Sequence, residues 1–332
     1  MSATKSERRG AGWGSIPGFL LFSGLSLAAR LCPAALAYRL AFAPAAAVFL
    51  ITLWRERRLN RRGRGALRNM RIAFGERSPR ELRRLAWRYS LHVTWTALEI
   101  LRLPRLDPRR VERTVDRSEL GPVLERLAQG RGVIAATGHL GNWEVFGVGA
   151  ATFVESLTTL VRPIPEPGLD RWLNGARAAT GQRVRAKVGG LWTLAQALRE
   201  GGGVGLNVDE NMRKGGVFVP FCGVLAATNP SAFGLMRRTG ASIAVATCHR
   251  VGRERFRVRL WDLIDPGDVD LEADGAEAAV IGRVARGFER ALTEHPEQWL
   301  WSLRRWATRP PDEQPNGELP PRVGPPLQLE IG

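Results

Sequence analysis

A chain of 332 residues is long enough for one large domain with an appendage, and a 44% hydrophobic, 8% aromatic composition excludes wholesale disorder. Lys and Arg number 49 against 32 Asp and Glu, so a formal charge of +17, carried almost wholly by arginine, calls for an anionic partner. Nucleic acid, anionic lipid headgroups and an acidic carrier protein all meet that requirement, because guanidinium groups grip phosphate and carboxylate alike. Cys32, Cys222 and Cys248 are odd in number, widely spaced and without a CxxC pair. They suggest neither a disulfide framework nor a zinc site, and they suit a reducing compartment.

From Ile16 to Trp54 the chain is mostly apolar, interrupted by Arg30, Pro33, Arg39 and Pro44. Ile16 to Ala29 is short for a membrane span and is expected to lie in the interface. Leu31 to Trp54 approaches the ~20 residues needed to cross the hydrocarbon core and is the better spanning segment. The bulky residues at Leu50 to Trp54 do not resemble a signal-peptide cleavage site. Arg55, Arg57, Arg58, Arg61, Arg62, Arg64, Arg68 and Arg71 follow at once, and the positive-inside rule places them in the cytoplasm with the rest of the chain. A solvated linker has the same composition. Beside an apolar segment, attraction to anionic lipid at about 1 kcal/mol per basic residue reinforces anchoring.

Ser78, Pro79 and Glu81 spell a capping box with Pro at the first helical position, predicting one long helix to about Leu103. Val133 to Thr137 reads as a strand followed by a turn and a helix. Further strands are predicted at Leu157 to Val161, Arg183 to Lys187, Val204 to Val208 and Ile243 to Cys248, with Phe256 to Trp261 beside the last. Helices are predicted at Leu169 to Ala179, Leu191 to Glu200, Ser231 to Arg238 and Ala276 to Thr293. Such alternation predicts an α/β domain, a sheet flanked by helices. The expected organisation is an anchor over residues 1–60, a catalytic domain over 61–308 and a tail over 309–332. Seven prolines between Pro310 and Pro326 make that tail extended or disordered.

Four histidines occur, and His139 is distinctive because it follows a predicted strand and sits among glycines in Thr137-Gly138-His139-Leu140-Gly141-Asn142-Trp143-Glu144. Imidazole at a strand's C-terminal end can take a proton from an alcohol, and Glu144 is placed to orient it. Spacing alone leaves open a structural histidine, with Glu144 as an acid favoured by a helix N-terminus. Trp299 to Trp306 is an aromatic, Arg-rich segment expected near the core; Arg304 and Arg305 suit either an anionic headgroup near the site or packing against aromatics, and packing is the preferred reading. Phe218 to Phe221 and Cys222 also read as core.

The Gly138 to Glu144 motif resembles the His-x4-Glu form of the glycerolipid acyltransferase signature. In order along the chain, Asn69 to Phe74, the Arg162-Pro163 pair, Val208-Asp209-Glu210, Val217 to Gly223 and Pro296 to Trp301 resemble the lipid A late acyltransferase family. The resemblance implies a glycerolipid-acyltransferase-like fold and transfer of a fatty acyl group from acyl carrier protein to a hydroxyl of a lipid A precursor. It places that reaction on the cytoplasmic face of the inner membrane, without metal or bound cofactor. It implies His139 as general base with Glu144 orienting it, and Arg162 on phosphate or the oxyanion; Asp209, Asn142 and Arg177 are further expected substrate contacts. Glu210 stands where the family has an amide, and Leu303 where a His is usual. Actinobacterial relatives that acylate phosphatidylinositol mannosides share the motif, which keeps an acyl-CoA donor and another glycolipid or lysophospholipid as the alternative. A non-catalytic basic protein binding membrane or nucleic acid is the alternative of another class; nucleic acid itself is not an expected partner.

Overall fold

The computed structural model describes residues 15–59, 65–75, 77–186, 190–313 and 319–329. Arg61, Arg62 and Arg64 of the basic run and Lys187 of the predicted strand lie outside these residues.

The apolar N-terminus forms α1 (Ser15–Leu31), α2 (Ala34–Leu40) and α3 (Phe42–Leu59). Pro44 explains the break at Ala41: with no N–H, it cannot bond the Leu40 carbonyl one turn back. The stretch Ala34–Glu56 is 23 residues, roughly 34 Å at 1.5 Å per residue, enough for a ~30 Å hydrocarbon core. Only 22% of its most apolar window is buried, and Leu36, Leu40, Leu50, Ile51 and Trp54 face outward. A core helix of a soluble protein would hide those side chains. On its other side, Phe42 and Phe49 meet Trp87 at 6.4 and 5.6 Å between ring centroids.

Next come α4 (Ala66–Phe74) and α5 (Pro79–Leu101). The capping box forms as the sequence predicts: the Ser78 hydroxyl accepts from the Glu81 amide at 3.2 Å, and Glu81 accepts from the Ser78 amide at 2.9 Å. The catalytic domain continues with α6 (Pro108–Thr114), β1 (Val115–Asp116), α7 (Gly121–Ala128), β2 (Val133–Thr137), α8 (Trp143–Ala150), β3 (Leu157–Val161), α9 (Pro167–Ala178), β4 (Arg183–Ala186), α10 (Gly190–Arg199) and β5 (Gly203–Asn207). It closes with β6 (Val217–Phe221), β7 (Val224–Thr228), α11 (Ser231–Thr239), β8 (Ser242–Gly252), β9 (Arg255–Ile264) and α12 (Ala276–Glu294).

Seven strands form one mixed sheet in the order β1-β9-β8-β2-β5-β3-β4, and β6 and β7 form a separate hairpin. Strands β8, β2, β5, β3 and β4 run parallel; β9 is antiparallel to β8. Alternating side chains feed a core on each face. Ile134, Ala136, Ile243 and Val245 join the core under α10 to α12, whereas Val133, Ala244 and Ala246 join the one shared with α8 and α9.

Two elements differ from the sequence reading. Of Phe218 to Phe221, read as core, only Val219 and Phe221 are buried while Phe218 is half-buried and Pro220 exposed, because the run is one arm of a hairpin, whose turn places Cys222 at φ 55°. The tail is extended but docked: Val323 donates to the Gly223 carbonyl, Leu327 donates to the Ala73 carbonyl, and Leu327 and Leu329 pack on the core. Its Arg322 donates to the carbonyls of Cys222 (2.9 Å) and Ile72 (2.6 Å). Proline composition signalled lack of helix and strand and carried no information about docking.

Candidate active site

Parallel pairing brings the C-terminal ends of β2 and β5 together, with Thr137 in register with Asn207. His139 leaves the first strand and Asp209 the second. Asp209 lies flush against the turn, where a Cβ on Gly138 would come within 2.5 Å of its carboxyl carbon, so only glycine fits there. Gly141 adopts φ 68°, and its missing side chain lets the turn press on the Cys248 carbonyl of β8.

The turn is clamped on several sides. The Gly141 amide donates to the Gln298 carbonyl (2.8 Å), the Asn142 amide to the Cys248 carbonyl (2.7 Å), and the Leu300 amide to the His139 carbonyl (2.9 Å). Trp299, fully buried, donates its indole N–H to Asp209 Oδ2 at 2.8 Å. Asn69 donates to the carbonyls of Trp301 (2.8 Å) and Leu303 (2.6 Å), so the aromatic segment is itself pinned. Arg305 packs on an aromatic ring, being 2% exposed, 4.8 Å over Phe221 and bonded to Ala227 and Thr228, and burial pulls its pKa down to about 10; Arg304, expected to pack likewise, is exposed.

His139 Nδ1 is 3.0 Å from Asp209 Oδ1, and the His139 amide donates to Asp209 Oδ2 at 2.7 Å. Burial is the largest single influence on His139 and pushes its pKa down. The charge and hydrogen bond of Asp209 outweigh it, with help from Glu210 and Glu144, and the net pKa is raised. Burial likewise pushes Asp209 up, yet His139, Trp299 and the backbone N–H hold it below the ordinary carboxylate range. The imidazole is 16% exposed and lies edge-on to Trp143 at 4.9 Å; Nε2 has no bonded partner among the described residues.

This geometry corrects the expected pairing of His139 with Glu144. Glu144 turns to Arg177, which donates to it through Nε at 2.8 Å and Nη2 at 2.5 Å. From the first turn of α8 its carboxylate contributes to the field at His139 without bonding it. Arg177, expected as a substrate contact, is committed to this pair and to Asn174. Asn142 is likewise structural: fully buried, it caps α8 by accepting from the Val145 amide at 3.0 Å and donates to Glu99 at 2.8 Å. Arg162 is exposed at the C-terminal end of β3 and makes no ion pair among the described residues. A cavity of about 90 Å³ beside the site is bordered by Phe146, Leu157, Leu160, Glu144 and Arg177.

A buried network unannounced by the motif backs the turn. Glu99 accepts from Asn142, from Tyr38 at 2.5 Å, and from Arg250 through Nη2 at 2.6 Å; Arg250 also reaches His92 (2.8 Å) and Thr96 (2.9 Å). The spacing of His92, Thr96 and Glu99 on one face of α5 was the available signal, and it names no partner across the fold. Among the described residues no three His, Cys, Asp or Glu side chains gather into a metal-binding group.

The model of the bacterial lipid A biosynthesis acyltransferase family matches residues 20–308. The chain is similar to a phosphatidylinositol mannoside acyltransferase of Mycolicibacterium smegmatis, 24% identical over 65% of this chain and 70% of that protein. It is also similar to the protein of that name in Mycobacterium tuberculosis, 26% identical over 63% of this chain and 66% of the relative. With the match spanning the sheet, the His139 turn and the aromatic clamp, the chain belongs to the bacterial lipid A biosynthesis acyltransferase family and is an O-acyltransferase.

Proposed function

We propose that the enzyme moves a fatty acyl chain from a thioester to a hydroxyl of a phosphate-bearing glycolipid, with His139 as general base and Asp209 as the carboxylate that orients it. The observation that carries this reading is the Nδ1 bond to Asp209, which fixes the proton on Nδ1 and leaves Nε2 as the free acceptor. Nε2 takes the hydroxyl proton as the oxygen attacks the thioester carbonyl. The tetrahedral intermediate collapses with cleavage of the C–S bond, and the imidazolium returns its proton to the departing thiolate. Asp209, nearly solvent-free and ionised, stabilises the transient imidazolium, so no serine or cysteine nucleophile is required.

Glu144 and Arg177 act as a brace between α8 and α9 beside the small cavity, and the unpaired Arg162 faces outward from the same sheet edge, placed to meet a phosphate. The uncovered apolar face of Ala34–Glu56 and the arginines that follow favour a bilayer position with the catalytic domain on the cytoplasmic side of the inner membrane. No resident cofactor enters the mechanism.

For the substrates, the family description favours a lipid A precursor as acceptor, and the net charge of +17 suits an acidic donor such as acyl carrier protein. The two mycobacterial relatives favour the second reading, a mannosylated phosphoinositide as acceptor, which we pair with acyl-CoA as donor. Membranes carrying the wild type, His139→Ala or Asp209→Asn, supplied separately with labelled acyl carrier protein and acyl-CoA, decide between them when the lipid products are read by mass spectrometry. An acylated glycolipid made by the wild type and lost in both folded variants is the expected result, and its mass names the acceptor. Activity surviving His139→Ala defeats the mechanism.

A further inference from the structure

A cavity of about 530 Å³, distinct from the small one beside Glu144, opens where α2, α3 and α5 meet the β8–β9 turn. It lies on the sheet edge that carries His139, at the end of β8, the strand on the other side of β2 from β5. Its composition is split. Phe42, Leu91, Trp95 and Val251 supply apolar wall, with Phe42 edge-on to Trp95 at 6.2 Å. Arg39 and Arg253 stand at its margin, both exposed and neither in an ion pair among the described residues. Arg250 at its floor is paired with Glu99; Arg88 and the carboxylate of Glu297 also line the cavity, and together with Arg39 and Arg253 they leave its margin net positive.

We infer that this groove is a binding site for one anionic bilayer phospholipid, its phosphodiester between Arg39 and Arg253 and the start of an acyl chain against Phe42, Leu91 and Trp95. The size lies within the ~300–1,000 Å³ of small-molecule sites, and an apolar wall ending in convergent cations is complementary to that one kind of molecule. Position supports the same occupant. One wall belongs to α2 and the start of α3, where exposed Leu36 and Leu40 lie beside the groove; with this stretch lying along the catalytic domain at the membrane surface, a lipid reaches the groove without leaving the bilayer. The inference rests on the bilayer position proposed above. It concerns a resident lipid outside the reacting pair, and it adds to the acceptor that receives the acyl group.

The test uses the full chain in vesicles of phosphatidylcholine, with and without phosphatidylglycerol, followed by release into mild detergent and native mass spectrometry to count retained lipids. Three variants accompany the wild type. Arg39→Gln with Arg253→Gln removes both cations; Leu91→Trp fills the groove without changing charge; Arg199→Gln removes an exposed arginine just before β5, at the opposite edge of the sheet. Wild type and Arg199→Gln are expected to retain one phosphatidylglycerol. Retention should fall about thirtyfold in the double variant, since each basic contact near an anionic surface is worth about fivefold, and it should also be lost in Leu91→Trp. Equal retention in wild type and Leu91→Trp, with Arg199→Gln as damaging as the Arg39→Gln, Arg253→Gln double variant, describes a diffuse basic surface and overturns the inference. Flotation with neither vesicle type overturns the bilayer reading together with the groove, whereas normal flotation without a retained lipid overturns the groove alone.

Discussion

Asp209→Asn separates the two carboxylates that the sequence motif leaves in competition. In the wild type, Asp209 accepts three hydrogen bonds: from Nδ1 of His139, from the His139 amide and from the Trp299 indole. An asparagine has one acceptor and one donor end. Facing its oxygen to Nδ1 turns its NH2 onto two buried N–H donors, leaving both unsatisfied at about 1–3 kcal/mol each. Facing the oxygen to those donors satisfies everything, but it gives Nδ1 a donor. The imidazole must then carry its proton on Nε2, and it cannot act as a base. The second arrangement wins on hydrogen bonding, so the variant should fold with little loss of stability while kcat falls by about 10³ to 10⁴, the scale of a wrong-tautomer change in a Ser-His-Asp triad. The pH profile provides a second readout. Asp209 holds the His139 pKa above its ordinary value, so wild-type activity should rise with pH through a midpoint above ~6.5, whereas residual activity of the variant should have its midpoint displaced to lower pH. Stability carries matching signs: the raised histidine contributes below its unfolded pKa and loses that contribution as pH rises through the folded one, and the depressed aspartate contributes above its unfolded pKa and loses it as pH falls. Steady-state acyl transfer across pH, with denaturant unfolding of both proteins, tests each part. Wild-type kcat with an unmoved acid limb in Asp209→Asn refutes the reasoning.

Glu144→Gln is expected to weaken the bidentate bond to Arg177 and cost about 1–3 kcal/mol in urea unfolding, and loss of its charge should move the acid limb to lower pH by less than Asp209→Asn does. An unmoved unfolding midpoint combined with a loss as deep as that of Asp209→Asn would return the orienting role to Glu144. Asn142→Ala removes the α8 cap, about 1 kcal/mol, and one donor to the buried Glu99, about 1–3 kcal/mol, so chemical denaturation should show roughly 2–4 kcal/mol lost. Removal of residues 319–332 uncovers part of the core and deletes the Arg322 contacts; thermal unfolding should shift down by the equivalent of about 2–4 kcal/mol while kcat at low temperature stays within about twofold of wild type, and an unchanged melting temperature would show the docked tail to be energetically idle.

The strands and helices of the catalytic domain were legible because each has a strong local cause. Val133 to Thr137 is a short β-branched and small apolar run buried on both faces, and Ser78-Pro79-Arg80-Glu81 encodes a helix start within four residues. The β6–β7 hairpin was legible only in half, since Phe218 to Phe221 reads as an apolar run whether it pairs or simply packs. Docking of the tail depends on Arg322 meeting carbonyls of residues 72 and 222, an arrangement that no local composition encodes.

The site shows the same division more sharply. Glu144 lies five residues from His139 and looks like its partner, yet Trp143 and Glu144 already belong to α8, where the helix carries the carboxylate toward α9 and Arg177. Asp209 lies 70 residues away and reaches the imidazole because β2 and β5 are parallel neighbours whose chains emerge side by side. A reading of strand order could have found it: in a parallel sheet the residues that follow adjacent strands share one edge, so an acid just past one strand is a candidate partner for a histidine just past the next. The short motif therefore marks where the histidine is, and the sheet decides which acid it meets. That dependence gives the buried Trp299 its place beside the pair: by holding Asp209 Oδ2, it fixes the carboxylate plane and hence the direction in which Nε2 points.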